Sequence, residues 1–327
     1  MNRKSLVIGL ASSLVIILGG VIACAGAIPS GELNAVPLAT GLEGAMGSAI
    51  GPDRALYVTE GVAGRISRVD RRTGQVTTFA SGLPQAIMPI GGATDIAFIG
   101  ETAYVVVTMV GSDLDPESDA IVGIYRVDGP DSFTVIADLG DFAINNPSKS
   151  EVFIPSGVYY ALDIFDGGFV VTDGHHNRVL DVTLEGEVSE MIAFDDIVPT
   201  GLAVWGNTVY MAEAGPNPHL PENGKVVTFG PESTTATEVA SGAPLLVDVE
   251  YGRGGKLYAL SQGHFQEGNE DGSPADPNTG ALVEINADGT FTVITSGLNQ
   301  PTSLEFIGNT AYVVTLGGEI WMIDGAN

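Results

Sequence analysis

One strand-turn-strand unit returns six times along the 327 residues, as ALYVTE, TAYVVVT, FVVTD, TVYMAE, KLYALS and TAYVVT, beginning near residues 55, 102, 169, 208, 256 and 310. A unit of this size cannot bury its own apolar face and must stack on its neighbours, so the repeat means a β-propeller or an array. Each copy follows one short apolar strand and precedes two more, which makes the unit a four-stranded blade. Blade one runs from Ser48 through ALYVTE and RISRVD to VTTFAS, with turns GPDR and RRTGQ between strands. Gly, Asp and Asn punctuate the later blades in the same way. The expected fold is all-β, a six-bladed β-propeller of four-stranded blades.

The sixth blade reads TSLEFI, TAYVVT and EIWMID, one strand short, and the segment NAVPLATGL at residues 34–42 copies the outer-strand endings VTTFASGL and FTVITSGL. The N-terminal strand of the mature chain is therefore expected to join the last blade and close the ring, which removes open sheet edges. Residues 28–327 form one propeller domain on this reading.

Residues 1–27 have the plan of a signal peptide: MNRK supplies a basic start and Leu6 to Ile22 an apolar run. The expected location is extracytoplasmic: secreted, periplasmic or lipid-anchored at a bacterial envelope. Val21-Ile22-Ala23-Cys24 resembles a lipobox, with Cys24 as the lipidated residue; Ala25-Gly26-Ala27 is an alternative site for ordinary cleavage, and both stay open. Cys24 is the single cysteine, so no disulfide forms within one chain. The chain has 40 acidic and 13 basic residues, a formal net charge of -27. Binding to nucleic acid or anionic lipid needs clustered Lys and Arg, so such partners are excluded, and a lipid anchor is the one expected link to a membrane. Acidity is compatible with cation binding and with solubility alone.

The long connections follow second strands or join blades, at residues 82–93, 109–120, 140–159, 214–224 and 262–280, and in a propeller these emerge on one face. Long loops on a rigid scaffold usually carry function. All four histidines, His175, His176, His219 and His264, fall in such loops of blades three to five. Neutral imidazoles converging from neighbouring blades could hold zinc, copper or iron, with Asp173, Glu60 and Glu213 at the ends of second strands adding carboxylates. The bland reading is that histidine avoids strands. Asp113, Asp115, Glu117 and Asp119, and then Glu267, Glu270, Asp271 and Asp276, have oxygen-rich spacing that calcium accepts, or are solvated acidic loops. Phe142, Phe153, Tyr159, Tyr160 and Phe265 are candidates to wall a ligand pocket on the same face, Tyr160 at the start of an innermost strand where it could look into the channel or simply pack, and Glu60 is a further ligand-binding candidate. Trp205 and Trp321 sit on strands and read as core. No GxSxG, GxxxxGK[ST], HExxH, CxxC or dinucleotide fingerprint is present.

FVVTDGHHNRVLDVTLEGEV resembles an NHL-type repeat, with Asp173, Asn177 and Arg178 at its signature positions, and that resemblance implies structural roles for the Asp and Arg. Across the mature chain, the order GLEGAMGSAIGPDRALYVTEGVAGRISRVDRRTGQVTTFASGLP, VTDGHHNRVL and VPTGLAVWGNTVYMAEAGP resembles the scytonemin-biosynthesis D and E family. The resemblance implies an extracytoplasmic six-bladed propeller and carries no catalytic residues. The gluconolactonase and senescence-marker propellers, hydrolases with a carboxylate and Asn metal site in the channel, are a second comparison; the innermost strands here begin near Met46, Thr94, Tyr160, Thr200, Val247 and Thr302, with no such set at the mouth. The functional expectation is a monomer binding a small molecule on the looped face beside a His-ligated metal. The alternatives are a non-catalytic scaffold for an extracytoplasmic protein or envelope polymer, and a metal-dependent hydrolase or oxidoreductase.

Overall fold

The computed structural model describes residues 31–326 except 89, 150, 151, 267, 270 and 271. Cleavage after residue 27, lipidation at Cys24 and three of the acids grouped for calcium, Glu267, Glu270 and Asp271, lie outside the described residues.

Six antiparallel four-stranded sheets form the ring. A first short strand, β1 (Ala35–Ala39), precedes blade one, which is β2 (Ala45–Ile50), β3 (Leu56–Glu60), β4 (Arg65–Val69) and β5 (Val76–Ser81). Blade two is β6 (Gly92–Ile99), β7 (Thr102–Thr108), β8 (Gly123–Gly129) and β9 (Ser132–Asp138). A helix, α1 (Leu139–Asn145), leads to blade three: β10 (Tyr159–Phe165), β11 (Gly168–Asp173), β12 (Arg178–Val182) and β13 (Val188–Ala193). Blade four is β14 (Pro199–Trp205), β15 (Thr208–Glu213), β16 (Lys225–Phe229) and β17 (Thr237–Ser241). Blade five is β18 (Leu246–Tyr251), β19 (Leu257–Ser261), β20 (Gly280–Ile285) and β21 (Phe291–Leu298). In the sixth sheet β22 (Pro301–Ile307), β23 (Thr310–Thr315) and β24 (Ile320–Asp324) take β1 as outer strand, with Ala35 opposite Ile323 and Pro37 opposite Trp321.

Hydropathy sets the radial order of the strands. Second strands such as β3 and β11 are buried along their whole length because neighbouring blades cover both faces, and they read LYVTE and GFVVTD, nearly continuous apolar runs. Outer strands such as β5 and β13 are largely exposed, each with one buried residue near its end. Between blades the seams are aromatic: Tyr57, packed edge-on against Phe79 of its own blade, meets Phe98 of blade two at 4.9 Å, Tyr104 meets Phe169 at 4.9 Å, and Tyr258 meets Phe306 at 4.7 Å. Buried threonine hydroxyls cross the same seams, Thr94 to the carbonyl of Tyr159 (2.9 Å), Thr172 to that of Thr200 (2.7 Å), Thr200 to that of Leu246 (2.9 Å) and Thr302 to that of Met46 (2.7 Å).

Two features differ from the sequence reading. The connection 140–159 begins with helix α1, started by the Asp138 carboxylate accepting from the Asp141 amide at 2.8 Å, a side-chain N-cap that strand patterning did not reveal. Trp205 is not core: it ends β14 at the channel mouth and is 61% exposed. No described helix is long and apolar enough to cross a membrane.

Candidate functional site

The innermost strands β2, β6, β10, β14, β18 and β22 enclose a central cavity of about 420 Å³. Tyr160, at the start of β10, lays its ring across one end, and its hydroxyl donates to the carbonyl of Thr302 on the opposite blade at 3.0 Å. Innermost strands start at the looped face, so this tyrosine plugs the channel on that side. The wall then continues past Phe98, Ile164 and Tyr251 to exposed Trp205, which opens it towards the short-turn face. The indole of Trp205 packs on the Tyr251 ring at 4.8 Å.

Five carboxylates line this cavity: Asp95, Asp163, Asp248, Glu250 and Glu305. Its lining includes no Lys, Arg or His. Three of the acids staple blades together. Asp95 accepts from the Leu162 amide on blade three (2.8 Å), Asp163 from the Val204 amide on blade four (2.8 Å), and Asp248 from the Leu304 amide on blade six (2.7 Å). Each also accepts from the amide of its following residue, Ile96, Ile164 or Val249. Glu250 accepts from the Tyr251 amide at 3.0 Å, whereas Glu305 makes no hydrogen bond among the described residues. Blades one and four carry glycine where their neighbours bring acids close: a Cβ on Gly47 would collide with Asp95, and one on Gly201 with Asp248.

Enclosure by protein makes the charged carboxylates costly, and every acid of the set titrates high. Burial pushes Asp163 to about 6 and Asp248 to about 7, against the pull of their amide donors. Asp95 is held well above the usual carboxylate range by burial, with the charge of Asp248 adding to it. Glu250 and Glu305 are also held well above it, first by burial; Glu305 and Asp248 then act on Glu250, and Asp248, Asp95 and Asp163 on Glu305. The cavity is therefore a set of acids that burial pushes towards the protonated form, with no cationic side chain in its lining to offset their charge.

The four loop histidines singled out in the sequence occupy different settings. His175 accepts the amides of Phe153 (2.9 Å) and Ile154 (3.2 Å) on Nε2, with the Phe153 ring edge-on at 4.2 Å. His176 is buried, and its Nδ1 lies 2.8 Å from Asp173 Oδ2 at an angle outside hydrogen-bond geometry. His219 Nδ1 sits 2.6 Å from the Gly215 carbonyl, and its ring meets Phe265 at 4.9 Å. His264 is exposed, its amide donating to Thr279 Oγ1 at 2.9 Å. Among the described residues no three His, Cys, Asp or Glu side chains are grouped so as to hold a metal ion, on the looped face or in the channel.

The second-strand acids form a pattern of their own. Glu60 is fully buried and accepts from Arg65 Nε (2.8 Å) and Nη2 (2.7 Å), from the Glu43 amide and from Ser67. Asp173 faces Arg178 in the same way, Nε to Oδ2 at 3.2 Å. Glu213 stands opposite Lys225, but the lysine turns to Glu238 at 2.8 Å, and burial pushes Glu213 to about 7. Sequence reasoning missed the channel acids. The available signal was acids set inside four otherwise apolar innermost strands, one each in TDIAFI, ALDIF and TSLEFI and two in VDVEYG.

Fold and channel define a six-bladed β-propeller of four-stranded antiparallel blades. No protein-family model matches the chain, and no curated protein matches it. Among solved structures it is similar to a gluconolactonase from Xanthomonas campestris, with 14% identity over 89% of each chain and a TM-score of 0.62. It is also similar to virginiamycin B lyase from Staphylococcus aureus, with 13% identity over 90% of this chain and 99% of that one and a TM-score of 0.54. A chain of a nidogen/laminin complex matches at 16% identity over 83% of this chain and 89% of that one, TM-score 0.56. At such identities the likeness is one of fold.

Proposed function

We propose that the protein is an exported ligand-binding propeller whose site is the central channel and whose ligand is an organic cation, such as an amine. The observation that carries this reading is the channel lining: five carboxylates, aromatic faces at the open end and no basic side chain. An ammonium group entering from the short-turn face would supply the missing countercharge, and the faces of Tyr251 and Trp205 suit a cation at the rim. The cavity volume falls in the range of small-molecule sites, roughly 300–1,000 Å³. We place the ligand here rather than beside a metal on the looped face because ring nitrogens of His175 and His219 are engaged with local backbone groups. Export rests on the basic and then apolar start of the sequence, and membership of the scytonemin-biosynthesis D and E family on the motif order from residue 41 to 216.

A second reading, acid–base catalysis in the same channel, is favoured by one observation: Asp163 at about 6 and Asp248 at about 7 exchange protons near neutrality. Calorimetric titration with tetramethylammonium, putrescine and spermidine, with glucose as a neutral control, tests the binding reading. Saturable binding of the amines alone, lost in the Glu250→Gln/Glu305→Gln variant, is expected; equal response to glucose, or none to any amine, overturns it.

A further inference from the structure

The chain is strongly acidic, yet Arg54, Arg68, Arg71 and Arg72, four of its 13 basic residues, meet in one cleft. The cleft lies on the short-turn face of blade one, between the β2–β3 and β4–β5 turns, has a volume of about 150 Å³, and is completed by Asp53, Ala55 and Asp70. Five cations elsewhere are neutralised in place, Arg65 by Glu60, Arg126 by Asp128, Arg178 by Asp173, Lys225 by Glu238 and Lys256 by Glu284, while Arg253 donates to the Asn309 side chain. In the cleft Asp53 pairs with Arg68 at 2.6 Å. Asp70 is spent on its own turn, accepting from the amides of Arg72 (3.0 Å) and Thr73 (2.9 Å) and from the Thr73 hydroxyl (3.0 Å). Arg54, Arg71 and Arg72 have no carboxylate within ion-pair distance among the described residues, so four guanidinium groups face two carboxylates.

Backbone strain accompanies this arrangement. Arg54 has φ +64, a conformation that favours Gly, Asn or Asp and costs a bulky residue about 1 kcal/mol or more. Its carbonyl accepts from Arg71 Nε at 2.6 Å, which fixes that guanidinium and leaves its two terminal nitrogens for another acceptor. Forked, pre-set guanidinium groups match the oxygens of phosphate and sulfate.

We propose that this cleft is a binding site for a doubly charged tetrahedral oxyanion, free or as a monoester, held by Arg54, Arg71 and Arg72. The test titrates the purified protein with inorganic phosphate, sulfate and glycerol phosphate, with chloride as the control ion, by calorimetry and phosphorus NMR. One saturable equivalent is expected, weakened by added salt and at least tenfold in the Arg71→Gln/Arg72→Gln variant. Tighter binding of glycerol phosphate identifies a monoester site, and tighter inorganic phosphate a free-ion site. Arg54→Gly separates binding from structure: relief of the strained φ should raise the melting temperature while phosphate binding weakens. No saturable binding at millimolar phosphate, an equal response to chloride, or unchanged affinity in the double variant would overturn the proposal.

Discussion

Tyr160 and Thr302 stand 142 positions apart on opposite blades, and a 3.0 Å hydrogen bond from the tyrosine hydroxyl to the threonine carbonyl spans the channel between them. The contact closes one end of an otherwise open tube and ties blade three to blade six. Tyr160→Phe keeps the ring and removes the bond, leaving a carbonyl inside the channel. A loss of about 0.5–1.5 kcal/mol is expected in urea unfolding. A larger loss would mean that the hydroxyl holds more of the ring than this single contact.

Removing Arg178 should be far more damaging. Its guanidinium is 1% exposed, faces Asp173 at 3.2 Å, donates to the Asn146 carbonyl at 2.7 Å and lies 5.3 Å from the centre of the Phe142 ring. Arg178→Ala leaves Asp173 as an unpaired buried charge, a change that typically costs about 3–5 kcal/mol. The drop is read from chemical denaturation, and a loss under 1 kcal/mol would contradict the structural role given to this pair.

The channel acids fix the direction of the pH dependence. A carboxyl raised from about 3.9 in the unfolded chain to about 7 in the fold, as for Asp248, keeps its proton in the native state where the unfolded state has lost it. Stability from this group is therefore greatest at low pH and falls as pH rises between those values, with a limit near pH 7. The melting temperature should be higher at pH 5 than at pH 8, and Asp248→Asn should flatten the slope. Stability that rises across this window in both proteins would be the contrary result.

The sixth sheet draws its outer strand from the opposite end of the described chain, Val36 pairing with Met322 and Pro37 with Trp321. Deleting residues 34–42 should expose the edge of β24 and lower the melting temperature of the whole domain in one cooperative transition. An unaltered transition would show that β1 contributes nothing to ring stability.

The architecture was legible because it is written in period: FVVTD and TVYMAE announce second strands by composition, and Gly and Asp mark the turns around them. The site was less legible. Asp163 and Glu305 fall within short apolar strands, and only ring closure shows that both face one axis. The four histidines stood out because they are rare, but rarity carries no geometry: His175 braces the Phe153 backbone and His219 folds onto its own loop. Trp205 looked like core for the same reason, since strand membership does not say which residue ends at a channel mouth.

The central claim is that protonated channel carboxylates receive a cation. Calorimetry of spermidine binding at pH 6.5 in buffers of different ionisation enthalpy reads the protons released on binding. Release of protons to the buffer, abolished by Glu250→Gln/Glu305→Gln, is the predicted result. Binding with no proton release, or with release unchanged in that variant, would contradict the assignment of the channel as the cation site.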